Sequence, residues 1–576
     1  MSIFRLLPTN DAYLKLRLDG LLASFSESIA DNFHSMVGKS TPSSWVRHPD
    51  AVSWLNSTTE VLRQLDAPVT LILDDDELTS KAKALAIRAG WMRGHGACLS
   101  HVQALAEQYL VRLPDWTRQP HTEDSVWQRA TDASWWKRQI RAAHHRFDER
   151  GAIIAGRVHR CAGLYASDDA VKRITRRKRA AREYLGQTLV VNELGQEYSL
   201  ADLAALSPSN PLIRYAELMV RLRGCEQYAK EEGHACDFFT VTCPSKFHSH
   251  LKSGDPNPKF QPDLLPPEAQ RHLQTVWARA RSALARKEIK FYGFRVAEPH
   301  HDGTPHWHMV LFFDEADRRV IRKVLRHYAL QVDGTERGAW RRRCTFKTID
   351  LEHGSACGYL AKYITKNLHG GTYDGTPLNE YDLESSEKRP LLFTETALRV
   401  DTWAKWGIRQ FQPVGLPPVT VWREARRLDA GEHSDFSEVI TLCQSSDFTG
   451  YMRLMGGPAA KRVDMPVRIH RDEVTNRFGE HAQVVKGIAA ADLIAISRVH
   501  TWTFTQALFG SADAKPTRGA SGGFGGDSRP RTRINNCTAQ QVSVSRSEFR
   551  ESLQDDFDSL NPPDSIFIHS PPRWMH

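Results

Sequence analysis

The chain has 576 residues, 41% of them hydrophobic and 25% charged, which suits roughly two to four folded domains and excludes a wholly disordered protein. Lysine and arginine number 77 against 68 aspartate and glutamate, a net charge of +9, and that excess favours an anionic partner such as nucleic acid. The nine cysteines are widely spaced and contain no CxxC, which argues against a disulfide framework or a paired-cysteine zinc site, while the absence of a signal-peptide pattern at MSIFRLLPTNDAYLKLRLDG and of any bilayer-length apolar run leads us to expect a reducing, cytoplasmic setting with no membrane partner.

Residues 1–230 read mainly as helix, with the periodic stretches Leu78–Gly90, Cys98–Val111 and Ser134–Glu149 as examples. A helix start at Ser167-Asp168-Asp169 leads into a basic block of Lys172, Arg173, Arg176, Arg177, Lys178, Arg179 and Arg182, with no acid among them. A single charge cluster is usually a solvated face. Seven positive charges so close together predict a phosphate-contacting helix, with Arg173, Arg176, Arg177, Lys178 and Arg179 as its DNA-binding residues.

From about residue 235 the texture changes. Asp237–Cys243 is β-branched and aromatic and predicts a strand. Gln261–Lys287 predicts a helix, and Ile289–Val296 and Trp307–Phe313 predict the arms of a β-hairpin bent at Asp302-Gly303. A helix over 315–330, a strand over 344–351 and a helix over 355–367 follow. This order predicts an α+β domain over 235–430 built on an antiparallel sheet flanked by helices. We expect an accessory region of mixed structure at 431–510 and a disordered Gly/Ser/Arg/Pro-rich tail at 511–576.

The hairpin carries the strongest local chemistry. Alternate side chains of a strand share a face, so His306 and His308 point the same way and can ligate one divalent metal. With the bend at Asp302, Glu298 lies opposite His306 and diagonal to His308, roughly 4.5–5.5 Å away at Cβ for the direct pair. That makes Glu298 the third ligand of a two-histidine, one-acid site. His300 and His301 in the turn are alternative ligands, although histidines at a loop tip are more often solvated. Two histidines on a half-buried strand, with no metal, is the plainer reading of His-x-His alone.

Next comes Gly358-Tyr359-Leu-Ala-Lys362-Tyr363-Ile-Thr-Lys366, two overlapping Tyr-x-x-Lys units. On a helix, Tyr359 and Tyr363 stack on one face, and Lys362 and Lys366 fall near it. A tyrosine hydroxyl is a weak nucleophile at neutral pH, and a nearby ammonium favours its phenolate. A metal on a facing strand could polarise a phosphate between them. An amphipathic helix with core tyrosines explains the spacing but not the repeated lysine offset.

These blocks together resemble the HUH (His-hydrophobic-His) endonuclease superfamily, and specifically the replication gene A proteins of tailed bacteriophages. Phe238–Thr242, Thr304–His308 and Tyr359–Tyr363 occur in that family's order, and Arg399–Gln412 with Val421–Arg426 is also similar to it. The resemblance implies an HUH-type central domain. It implies site-specific nicking of a double-stranded DNA origin, a 5′-phosphotyrosine link, and a 3′ hydroxyl that primes rolling-circle synthesis. A second tyrosine then permits transfer and rejoining of the single strand. It implies Mg²⁺ or Mn²⁺ as the ion, and a bacterial host cell supplying the polymerase. No GxxxxGK[ST] phosphate loop occurs, so a separate host helicase is expected. Two alternatives share parts of this pattern. One is a relaxase or transposase of the same chemistry, although relaxases place the tyrosine before the histidines. The other is a non-enzymatic DNA-binding protein with a structural zinc site, which needs a fourth ligand such as His353 or a cysteine.

Overall fold

The computed structural model describes residues 75–360 and 393–506. Lys362, Tyr363 and Lys366, the first 74 residues and the tail from 507 lie outside them. The predicted elements appear with small boundary changes. The helix expected from Gln261 begins at Pro266 and runs to Ala285, because Pro266-Pro267 restrict the residues before them and fit only a first turn. The basic helix starts where its cap signals: Ser167 Oγ accepts the Ala170 N–H, and the helix spans Asp168–Gln187. The region read as mainly helical also contains two short strands, β1 (Thr188–Asn192) and β2 (Glu197–Ser199). The partner of β1 is a strand at Trp502–Gln506, more than 300 residues away, so no local pattern could reveal it.

Five antiparallel strands form the central sheet: β3 (Ala235–Val241), β4 (Phe291–Pro299), β5 (Pro305–Phe313), β6 (Cys344–Ile349) and β7 (Phe411–Val414), in the order β6-β3-β5-β4-β7. β5 is buried along its whole length, and the alternation of its side chains feeds two cores. On one face Phe238, Phe294, Val310 and Phe312 pack with Leu222 of helix α1 (Pro211–Glu231) and with Trp422, Ile440 and Tyr451 from the region beyond the sheet. On the other, Phe239, Trp307, Met309 and Leu311 pack with Leu273 and Trp277 of helix α2 (Pro266–Ala285), Leu325 of helix α3 (Arg318–Ala329) and Trp403. Each such side chain contributes roughly 1.5–3 kcal/mol on burial. A separate core of Leu85, Val102, Val126 and Trp136 holds the N-terminal helices together.

Two features lock the sheet towards the end away from its histidines, both opposite Leu311. Gly293 has φ 144°, and a Cβ there would meet the Val310 carbonyl oxygen at 2.0 Å, so the β4–β5 ladder excludes any side chain at that position. Asp237 on β3 is fully buried and takes a two-pronged ion pair from Arg322 at 2.6 and 2.8 Å, which fastens α3 to the sheet.

Candidate functional site

The hairpin register places Glu298 directly opposite His306, and Val296 opposite His308. Glu298, His306 and His308 are 1%, 3% and 4% exposed. The Nε2 atoms of the two histidines are 2.9 Å apart, and a Glu298 oxygen is 3.9 Å from His308 Nε2. One potential ligand atom from each of the three lies within 4.8 Å of the others. On the neighbouring strand Thr240 sits opposite His308, with its Oγ1 3.0 Å from His308 Nδ1. With Nδ1–H donating to that oxygen, the Nε2 lone pair turns towards His306 and Glu298. Buried imidazoles that meet nitrogen to nitrogen beside a carboxylate need a proton or a cation between them. An ion with ligands at about 2.1 Å and right angles sets neighbouring donors about 3.0 Å apart. The donor set therefore fits a divalent metal, and its two imidazole nitrogens are less natural ligands for magnesium, which prefers oxygen, than for a transition ion.

His300 and His301 are partly buried rather than solvated, contrary to the usual fate of a loop tip. The hairpin tip is packed into the protein. Trp403 Nε1 donates to the Gly303 carbonyl at 2.7 Å, the Tyr165 N–H donates to the His301 carbonyl, and Thr304 Oγ1 donates to the Phe247 carbonyl. Gly303 turns there with φ 81°. Asp302 is buried and accepts from His248 Nδ1 and from the Thr304 N–H. Burial opposes its charge, but His248 and the flanking histidines outweigh burial and hold the carboxyl well below its ordinary range. His300 stacks on His306 at 4.0 Å between ring centroids. Desolvation, then the His306 neighbour, holds it neutral well below the usual imidazole range. Its contact braces the ring plane of His306.

Tyr359 sits on a helical segment over residues 356–360, half-buried above the same sheet face. Its ring meets Phe238 at 5.5 Å, and Phe238 in turn stacks on His308 at 5.4 Å. The N-terminus of the segment is held by buried Glu226 of α1, which accepts from Ser355 Oγ at 3.0 Å and from the Cys357 N–H at 2.8 Å. A carboxylate there satisfies orphan donors and complements the helix dipole. Among the described residues, Lys347 of β6 donates to the Tyr359 hydroxyl and lies 4.7 Å from its ring centroid. Sequence reading missed Lys347, Thr240 and Glu226. The alternation of Cys344–Ile349 places Lys347 and Thr345 on one face, but only the β3–β6 pairing, with Phe238 opposite Lys347, shows that this is the tyrosine's face.

The basic helix divides its charges. Arg173 pairs with Asp148 at 2.7 Å and Lys178 with Asp401 at 2.9 Å, so both fasten the helix to its neighbours. Arg177 is half-buried, and Arg176 and Arg179 face solvent, the latter beside Glu183. His353, weighed as a closing zinc ligand, is exposed in a separate group with Asp350 and Glu352. Among the described residues, neither it nor a cysteine belongs to the Glu298 trio.

A strand-borne cluster of two histidines and one acid thus shares a face of an antiparallel sheet with Tyr359, in an α+β protein. Residues 91–371 match the family model described as "Bacteriophage replication gene A protein (GPA)". The chain is 36% identical over 457 residues to "Replication gene A protein" of Escherichia phage 186, covering 75% of this chain and 63% of that one. It is 35% identical to "Replication protein" of Haemophilus phage HP1 over 72% of this chain and 53% of that one. It is 30% identical to "Probable replication endonuclease from prophage-like region 2" of Salmonella typhi, over 70% of this chain and 52% of that one. The chain thus spans between about half and two thirds of the length of these curated relatives. No solved structure matches it. Residues 91–371 belong to the bacteriophage replication gene A protein family.

Proposed function

We propose that this protein is a replication-initiation endonuclease that nicks one strand of a double-stranded DNA origin through a tyrosine, with Tyr359 and Tyr363 as nucleophiles and Glu298, His306 and His308 as metal ligands. One observation carries the reading: the buried trio and Tyr359 share one sheet face, joined through the Phe238 ring. The relatives named as replication endonucleases support it.

In the reaction the Tyr359 oxygen forms a bond to a backbone phosphorus and the bond from that phosphorus to the 3′ oxygen breaks. The phenolic proton passes to solvent and the departing 3′ oxygen takes one up, so one phosphodiester replaces another. A bound divalent ion would polarise the phosphate oxygens. Lys347 holds positive charge at the attacking oxygen, Phe238 sets the tyrosine ring over the histidine end of the sheet, and Thr240 orients His308. Tyr363, four residues after Tyr359 in the sequence, is the acceptor for the second cleavage, after which the free 3′ hydroxyl attacks the first phosphotyrosine and restores a closed strand. Mg²⁺ or Mn²⁺ is the ion, and the exposed Arg176 and Arg179 contact origin phosphates. A host helicase and polymerase carry synthesis onward from the 3′ end, in the bacterial cytoplasm.

Incubation with a supercoiled plasmid bearing the origin and Mn²⁺ tests this. The reading expects nicked product with protein attached to its 5′ end. A Tyr359→Phe/Tyr363→Phe double variant that still nicks would overturn it.

A further inference from the structure

The edge of the central sheet beyond Tyr359 is basic, with five basic residues and no acid from Arg337 to Ile349. Lys347 serves the tyrosine and Arg343 pairs with Glu336, but the nicking chemistry does not use Arg337, Arg341 or Arg342. Trp340, in the short helix Ala339–Arg342 that leads into β6, is 63% exposed. Over its ring, 4.8 Å from the centroid, lies the Arg326 guanidinium, which also covers Phe346 at 4.4 Å. Among the described residues no carboxylate pairs with Arg326, Arg341 or Arg342. A large indole left in solvent costs hydrophobic free energy, and a guanidinium held by aromatic rings rather than by an acid keeps its charge available.

We propose that this edge is the track along which single-stranded DNA runs to and from Tyr359, with one base stacked on Trp340. The assignment rests on the endonuclease reading above. Stacking on an aromatic ring flanked by cations needs an unpaired base, because a duplex buries its base faces. The strand geometry supplies the path. β6 is an outer strand of the sheet. Phe346 turns to the face that carries Arg326, whereas Lys347 turns to the face that carries Tyr359. The short helix bearing Trp340, Arg341 and Arg342 leads directly into β6, where successive positions rise about 3.3 Å, so a strand stacked at Trp340 passes Arg341 and Arg342, crosses the edge and meets Lys347 within a few nucleotides. Phosphates would meet the arginines, and the base would meet the indole.

The test measures binding of a fluorescein-labelled oligo-dT, and of a duplex of equal length, to the full chain in EDTA, where no cleavage occurs. Trp340→Ala weakens oligo-dT binding about tenfold or more and Trp340→Phe largely restores it, while duplex binding changes little. Arg341→Ala with Arg342→Ala lowers the salt dependence of oligo-dT binding by about 0.7 in log–log slope for each phosphate that the arginines no longer neutralise. Both variants should melt like the parent, since the altered side chains are exposed. Unchanged oligo-dT affinity in Trp340→Ala overturns the proposal, and so does an equal loss for duplex, which would mark binding to the backbone without stacking. Covalent adduct formation by the parent protein is measured in parallel. An adduct with no Trp340 effect refutes the track alone, and a Trp340 effect with no adduct refutes the endonuclease reading alone.

Discussion

Thr240→Val isolates the role of the second strand in building the proposed metal site. The substitution keeps volume and β-branching, so β3 and its pairing survive, and it removes one oxygen 3.0 Å from His308 Nδ1. Without that acceptor, His308 loses the preference for the tautomer whose Nε2 lone pair faces His306 and Glu298. Removing such an outer partner of a metal-bound histidine costs about 10- to 100-fold in metal affinity, or roughly 1.4–2.8 kcal/mol. The fold itself should lose about 1 kcal/mol, the net value of one hydrogen bond. Mn²⁺ titration followed by electron paramagnetic resonance reads the affinity directly. Thr240→Ser returns the hydroxyl and should restore most of the binding. The nicking rate of Thr240→Val should recover at saturating Mn²⁺, since only occupancy has changed. If Thr240→Val binds Mn²⁺ like the parent while His308→Ala does not, His308 is a ligand but Thr240 does not orient it.

Two further predictions follow from the charge arrangement. Lys347→Met removes the cation at the Tyr359 hydroxyl and should slow single-turnover adduct formation about tenfold, the lower end for a charged hydrogen bond because Lys347 is exposed, whereas Lys347→Arg should retain most of the rate. Equal rates for parent and Lys347→Met would remove Lys347 from the mechanism. Burial, helped by Arg173 at His145 and by His159 at His250, pushes both imidazoles down to about 4. The unfolded chain therefore takes up these protons first, so their contribution is intact above about pH 6.5 and is lost as pH falls towards 4, up to about 3 kcal/mol for each. The pH dependence of Tm in this window should flatten in His145→Asn/His250→Asn, and an unaltered slope would contradict the assignment.

The parts of the site that could be read from the sequence are those set by local geometry. Asp302-Gly303 defines the bend, a period of two puts His306 and His308 together, and Glu298 falls into place from the same register. The basic helix announces its start through Ser167. What escaped depends on distant partners. Thr240 and Lys347 matter because β3 pairs with β5 and β6, about 70 to 110 residues on. Glu226 grips the Tyr359 segment from about 130 residues upstream. The tip histidines are drawn out of solvent because Tyr165, Phe247 and Trp403 converge on the turn, and Arg173 and Lys178 find acids that a charge pattern along one helix cannot show.

The central claim is that Tyr359 and Tyr363 attack DNA at a metal-bound phosphate. Peptide mapping by mass spectrometry after reaction with an origin oligonucleotide and Mn²⁺ tests it most directly. The account predicts a nucleotide joined through its 5′ phosphate to Tyr359 or Tyr363, absent in Glu298→Gln/His306→Ala and in the double phenylalanine variant. A cleaved strand with no peptide attached, or one attached to a different residue, would contradict it.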